Sequence, residues 1–239
     1  NGGFFKHTSL TAMGLKVYLG HTNCPMTKEP SLFTIIHTNG IHCVNVLLCS
    51  CGATVHPRYQ LLHCNWYPAT IHQPQTCVMF IVLNHFHLLT LQSKLLATHF
   101  ITALERETDN MGLMSVKDRY VSFLRMSCEW CHLMMLKRAG HGHEDSGVKG
   151  MQLGVLAVLC PACPHPKINL PRGWESGPPS DSFLYHLHIA ADANFCMKNC
   201  FKPGKRIDAG LGTGLAYFVE DYEYKTFLLG YVSEKDVSL

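Results

Sequence analysis

The chain has 239 residues, enough for one large domain or two small ones, and 47% of them are hydrophobic against 15% charged. That balance excludes a globally disordered chain, because it supplies ample apolar material for a core. A formal net charge of +3 is too small to argue for or against a nucleic-acid partner.

Asn1 to Lys6 have neither the charged leader nor the long apolar stretch of a secretory signal, and without an initiator Met the chain is expected to begin inside a longer protein. Leu32–His37 and Ile41–Leu48 are β-branched apolar runs. Asn39-Gly40 between them predicts a hairpin with a type I′ turn, which needs positive φ at both central residues. From Gln75 to about Thr108 the spacing turns helical. It predicts one long helix or two shorter ones, with Phe80, Leu83, His87, Leu91 and Leu95 on one face. Its most apolar part, Val78 to Leu91, is broken by Asn84, His85 and His87. It falls short of the roughly 18–20 residues of a membrane span, so a buried helix and no membrane partner are expected.

Asp109 to Gly112 ends that run. A further helix is predicted over Val116–Arg138, with Ser115 as cap and Asp118 in the capping-box position. Its apolar positions are Tyr120, Phe123, Leu124, Trp130, Leu133 and Leu136, and Gly140 stops it. A polar, Gly-rich linker then leads into a Pro- and Gly-rich loop, followed by two predicted strands, Phe183–Ala191 and Ala216–Val219. The expected fold class is mixed α/β (α+β). The expected divisions are a cysteine-rich region over 1–74, a helical segment over 75–140, a linker and loop over 141–182, and a last domain over 183–239.

Twelve cysteines with no secretory signal point to thiols or metal ligands rather than disulfides. In Cys49-x-Cys51 the residues are two apart. On a strand they share a face, so both thiolates can meet one metal, with Cys24 and His56 as partners. Cys160-Pro161-Ala162-Cys163 has the spacing of half a tetrahedral zinc site, with His143 or His165 as a further ligand. By spacing alone, Cys196 and Cys200 would complete a ribbon. For both motifs the competing reading is a set of reduced structural thiols. Cys64, Cys128, Cys131, His141 and Cys196 are read as structural. Asp192, after an apolar strand, is by pattern a turn or cap residue. The basic loop Lys198, Lys202, Lys205 and Arg206 suits either DNA phosphates or solvent.

Cys160-Pro161-Ala162-Cys163-Pro164-His165-Pro166-Lys167-Ile168-Asn169-Leu170-Pro171-Arg172-Gly173-Trp174 resembles the Kyakuja–Dileera–Zisupton (KDZ) transposases. So do Asp192-Ala193-Asn194-Phe195, Gly210-Leu211-Gly212 and Tyr217-Phe218-Val219-Glu220. Upstream, Leu15 to His21, Asn39 to His42, Cys49 to Cys51, Trp66 to Thr70, Leu89 to Lys94 and Leu136 to Gly140 resemble the CxC-type cysteine cluster found with these transposases.

The resemblance implies a cut-and-paste transposase of the nucleus, with DNA and further transposase subunits as partners. It implies an RNase H-like domain in which three acidic residues hold two divalent ions, usually Mg²⁺. Asp192 maps to the first acid. The others are expected beyond Leu239, and a Cys/His finger before Asn1. On that reading the chain is an inactive fragment whose parent cleaves and transfers DNA strands, with structural zinc in its cysteine cluster. Two rival readings are a non-catalytic zinc module that contacts DNA or protein, and a decayed remnant. The remnant reading follows from departures at Cys128, Cys131 and His141, where the family tends to have Arg, and at Cys196, normally basic. The chain holds seven Arg against sixteen His and twelve Cys, as single C-to-T changes in CGN codons would leave it.

Overall fold

The computed structural model describes residues 8–21, 29–51, 56–112, 116–188, 211, 214–217 and 219–229. It divides into one unit over Asn1–Met134 and a second over Met135–Leu239. Asp192, Cys24, Cys196, Cys200, Ser115 and the basic loop all lie outside the described residues.

The first unit is built on a five-stranded mixed sheet. β1 (Lys16–Leu19), β2 (Ser31–His37), β3 (Gly40–Leu48), β4 (Trp66–Pro68) and β5 (Thr76–Met79) stand in the order β1-β3-β2-β5-β4. The apolar runs pair as an antiparallel hairpin from Ser31↔Val46 to His37↔Gly40. β1 adds parallel to β3, and β5 parallel to β2. Alternation then sends Ile36, Ile41 and Val78 to one face, and Phe33, Ile35, Val44, Val46, Leu48 and Cys77 to the other. Burial pushes the Cys77 thiol up to about 12, so it serves as a small core side chain.

The hairpin forms where expected, with a different turn. Its central residues are Thr38 and Asn39, and positive φ (+132°) falls on Gly40 after them. A type I′ turn is therefore absent. Gly40 is required on two counts, since a Cβ there would come 2.7 Å from Thr108 Oγ1. That hydroxyl accepts from the Ile41 N–H at 2.6 Å and donates to the Leu104 carbonyl at 2.7 Å.

Helices cover both faces. α1 (Pro57–His63) buries Gln60 and Leu61 on the face that holds Phe33. α2 (Phe80–Ser93), α3 (Ala97–Thr108) and α4 (Tyr120–Arg138) pack on the opposite face. The expected helical run thus starts five residues late, because Thr76–Met79 pairs with β2. The buried face of α2 is Val82, Leu83 and Phe86, whereas Leu91 is 67% exposed. Lys94 ends α2 in the left-handed region at φ +53°. α3 is a clean amphipath, burying Ala97, Phe100, Ile101 and Leu104. α4 begins four residues later than expected, where the Asp118 carboxylate accepts from the Tyr120 N–H at 2.7 Å. Phe86, Phe100 and Phe123 form the aromatic centre, with ring centroids 5.0–5.5 Å apart. The Trp130 indole N–H donates to Asn84 Oδ1 at 3.2 Å, which gives that polar residue a partner.

The second unit opens on the last turn of α4, which ends in a Schellman motif. His141 N–H donates to the Leu136 carbonyl and Gly140 N–H to that of Lys137, with Gly140 at φ +78°. Leu136, Leu156 and Leu215 form its small core. Gly154 and Leu156 donate to the carbonyls of Gly214 and Leu215. The two strands expected here are not seen among the described residues. Pro178-Pro179 starts a 3₁₀ helix over Pro179–Tyr185, which takes Phe183 to Tyr185, and Ala216-Tyr217 form a bend. α5 (Asp221–Leu229) is the last element among the described residues.

Candidate metal centre

The parallel pairing of β1 with β3 sets Leu19 opposite Leu48. Beyond that point the chain leaves one strand as Gly20-His21 and the other as Cys49-Ser50-Cys51. Gly20 permits the approach: its φ is +123°, and a Cβ there would lie 2.6 Å from Cys49 Cβ. The two sulfurs come to 2.8 Å of each other. The His21 ring closes over them, with Nδ1 3.7 Å from Cys49 Sγ and 3.6 Å from Cys51 Sγ. These three form the one group of metal-ligand type, with all ligand atoms within 4.8 Å, among the described residues.

The donor set fits zinc. Bonds of about 2.3 Å to sulfur and 2.0–2.1 Å to nitrogen at tetrahedral angles imply S···N near 3.5 Å and S···S near 3.8 Å. The sulfur–nitrogen distances match as they stand, and the sulfurs would part by about 1 Å. Two soft thiolates and an imidazole suit Zn²⁺ over the hard Mg²⁺.

The site is held from behind by Gln60 of α1. Its side-chain oxygen accepts from the Cys49 N–H at 2.9 Å, and its amide donates to the Cys49 carbonyl at 3.0 Å. Gln60 is only 4% exposed, so this two-point clamp fixes the first cysteine from inside the unit.

The other expected ligands lie elsewhere or beyond description. Cys24 is not among the described residues. His56 caps α1, its ring accepting from the Arg58 N–H. Cys160 and Cys163 share a turn closed by Cys163 N–H to Cys160 carbonyl at 3.2 Å. The Cys163 thiol, then the Ala162 and Cys163 N–H groups, lower the Cys160 thiol, and the Cys160 contact raises Cys163. His165 turns to the backbone instead, donating to the Cys160 carbonyl at 2.9 Å. His143 is exposed and joins no such group among the described residues. His141 is taken by the Glu144 carboxylate. Cys131 sits half-buried on α4, its thiol raised by burial and then by Cys128. The ligand that sequence reasoning passed over is His21. The signal available was its spacing to Cys24, which is that of a zinc ligand pair.

With this geometry in view, residues 10–112 match the family described as a CxC2-like cysteine cluster associated with KDZ transposases. This segment is thus similar to a CxC2-like cysteine cluster. It contains all five strands, α1 to α3, and every residue of the candidate centre. The KDZ association read from the sequence holds for the CxC2-like segment, whereas Cys160, Cys163 and Asp192 lie outside the match. No curated protein and no solved structure matches the chain significantly. Among the described residues, no helix is long and apolar enough to cross a membrane.

Proposed function

We propose that the first unit is a zinc-organised, non-catalytic module of a KDZ-type transposase, and that it meets DNA in the nucleus. The observation that carries this reading is the convergence of His21, Cys49 and Cys51 at the paired ends of β1 and β3. Cys24, three residues after His21, is the fourth ligand by spacing. Zinc here is structural: it ties the edge of the sheet to the CxC2-like segment's cysteine pair. Strand cleavage with Mg²⁺ belongs to the parent enzyme, with Asp192 as one of its acids by resemblance.

The test is zinc per chain by elemental analysis after a chelator wash. One zinc is expected in the wild type, lost in His21→Ala, Cys49→Ser, Cys51→Ser and Cys24→Ser, and kept in Cys160→Ser. No zinc in folded wild type, or loss on Cys160→Ser alone, refutes the reading. DNA affinity that survives Asp192→Ala separates the module from the catalytic acid.

A further inference from the structure

We infer that the cleft between α1, the segment after β4 and α4 binds a nucleotide, its phosphate on Arg58 and Arg125 and its base against Glu129. The cleft belongs wholly to the first unit and has a volume of about 610 Å³. That is room for one nucleotide and the start of its neighbours. The inference rests on the reading that this unit meets DNA, and it goes beyond the metal centre.

The two cations are uncommitted in the way a phosphate site needs. Arg58 lies over the Tyr59 ring, its guanidinium carbon 4.7 Å from the centroid, and donates to the Tyr59 hydroxyl at 2.8 Å. Its Nε is buried with no partner among the described residues. Arg125 is exposed and donates one N–H to the Ala69 carbonyl at 2.8 Å. Among the described residues neither guanidinium has a carboxylate within ion-pair distance. Both keep donors in the planar arrangement that pairs with phosphate oxygens.

Glu129 decides which anion. Its Oε2 accepts from the Tyr67 hydroxyl at 2.9 Å, which leaves the other oxygen as an acceptor. Burial, then that hydrogen bond, raises the Tyr67 hydroxyl, so it stays a donor. A purely acidic ligand, such as an acidic peptide, would meet repulsion from this carboxylate. A nucleotide brings a phosphate for the arginines and, on cytosine, adenine or guanine, an exocyclic amino group for the carboxylate. Ile71 and Leu133, 56% and 41% exposed, give the flat ring apolar walls.

The test uses the full zinc-loaded chain and fluorescence anisotropy with labelled oligo-dC, oligo-dT and a duplex, with CMP and AMP as competitors. Oligo-dC is expected to bind best. Arg58→Ala and Arg125→Ala should each weaken it about tenfold. Arg106→Ala, the same charge change on α3, should leave it within twofold, and Glu129→Leu should erase the preference for dC over dT. Hydrogen exchange on the wild type needs no variant: dC should slow residues 57–72 and 125–133. DNA binding that ignores both arginines, or protection confined to other segments, overturns the cleft and leaves the DNA reading standing. Mononucleotide binding at the arginines without strand binding keeps the cleft and sinks the DNA reading. No binding of strand or mononucleotide overturns both.

Discussion

Gln60→Leu removes the clamp behind the metal centre without touching a ligand. Leucine is close to isosteric, so the core contacts of α1 survive, while the Cys49 N–H and carbonyl lose the partners they hold at 2.9 and 3.0 Å. Leaving a buried backbone group unpaired costs about 1–3 kcal/mol. Cys49 is half-buried, so each of its two groups falls at the low end of that range, and the pair costs about 2–3 kcal/mol. Spent on orientation of the thiolate, that energy is roughly a 30- to 150-fold loss of zinc affinity, at about 1.4 kcal/mol per tenfold. It overlaps the 10–100-fold typical of outer-sphere partners. Gln60→Glu keeps the acceptor for the N–H but sets a buried carboxylate against the Cys49 carbonyl, so a loss at least as large is expected. The assay is competition for zinc against a chromophoric chelator, with urea melts of both variants. An affinity within twofold of wild type in Gln60→Leu, at unchanged stability, would refute the claim that this clamp positions Cys49.

Gly20→Ala should lower zinc occupancy and destabilise the first unit by about 1–3 kcal/mol, because φ is +123° and the new Cβ would sit 2.6 Å from Cys49 Cβ; elemental analysis and thermal melts read both. Phe123→Ala empties the centre of the three-ring cluster and should cost about 3–5 kcal/mol in denaturant melts, whereas Leu91→Ala, on the exposed side of α2, should stay within about 0.5 kcal/mol. In the second unit, the His141 hydrogen bond, then the Gly142 N–H, holds the Glu144 carboxyl at about 2, down from 4.5. A depressed acid stabilises the fold above its unfolded value and loses that contribution as pH falls from 4.5 toward 2. Amide protection around Gly142, measured relative to the intrinsic exchange rate at each pH, should fall across that window in the wild type and show no such step in Glu144→Gln.

Local pattern made much of this fold legible. The two-residue spacing flagged Cys49 and Cys51 as a pair, although they meet in the segment after β3 and not on the strand, and β-branched runs gave the hairpin. The clean amphipathic spacing of α3 and the glycine stop of α4 are visible in the sequence because each is settled within a few residues. What stayed hidden depends on remote partners. Thr76–Met79 is a short apolar run continuous with α2, and only pairing with β2 and β4 makes it a strand. The buried side of α2 turns toward Phe100 and Phe123, so Phe86 rather than Leu91 is inside. His21 sits 28 residues from Cys49, and nothing local announces that β1 runs parallel to β3.

That parallel pairing makes the metal a check on strand alignment. β1 is a four-residue edge strand, held by few backbone hydrogen bonds, and a one-residue slip against β3 would shift it about 3.3 Å and turn its side chains over. His21 would then leave the sulfurs, and the ligand set would fall apart. On the zinc reading, only the observed alignment brings His21 to the two sulfurs, so metal uptake would seal it in preference to a slipped pairing. Sealing also keeps the flank of β3 covered, where a released β1 would leave a strand open to pairing with another chain. Metal loss in this unit should therefore be felt first as self-association, before any helix melts.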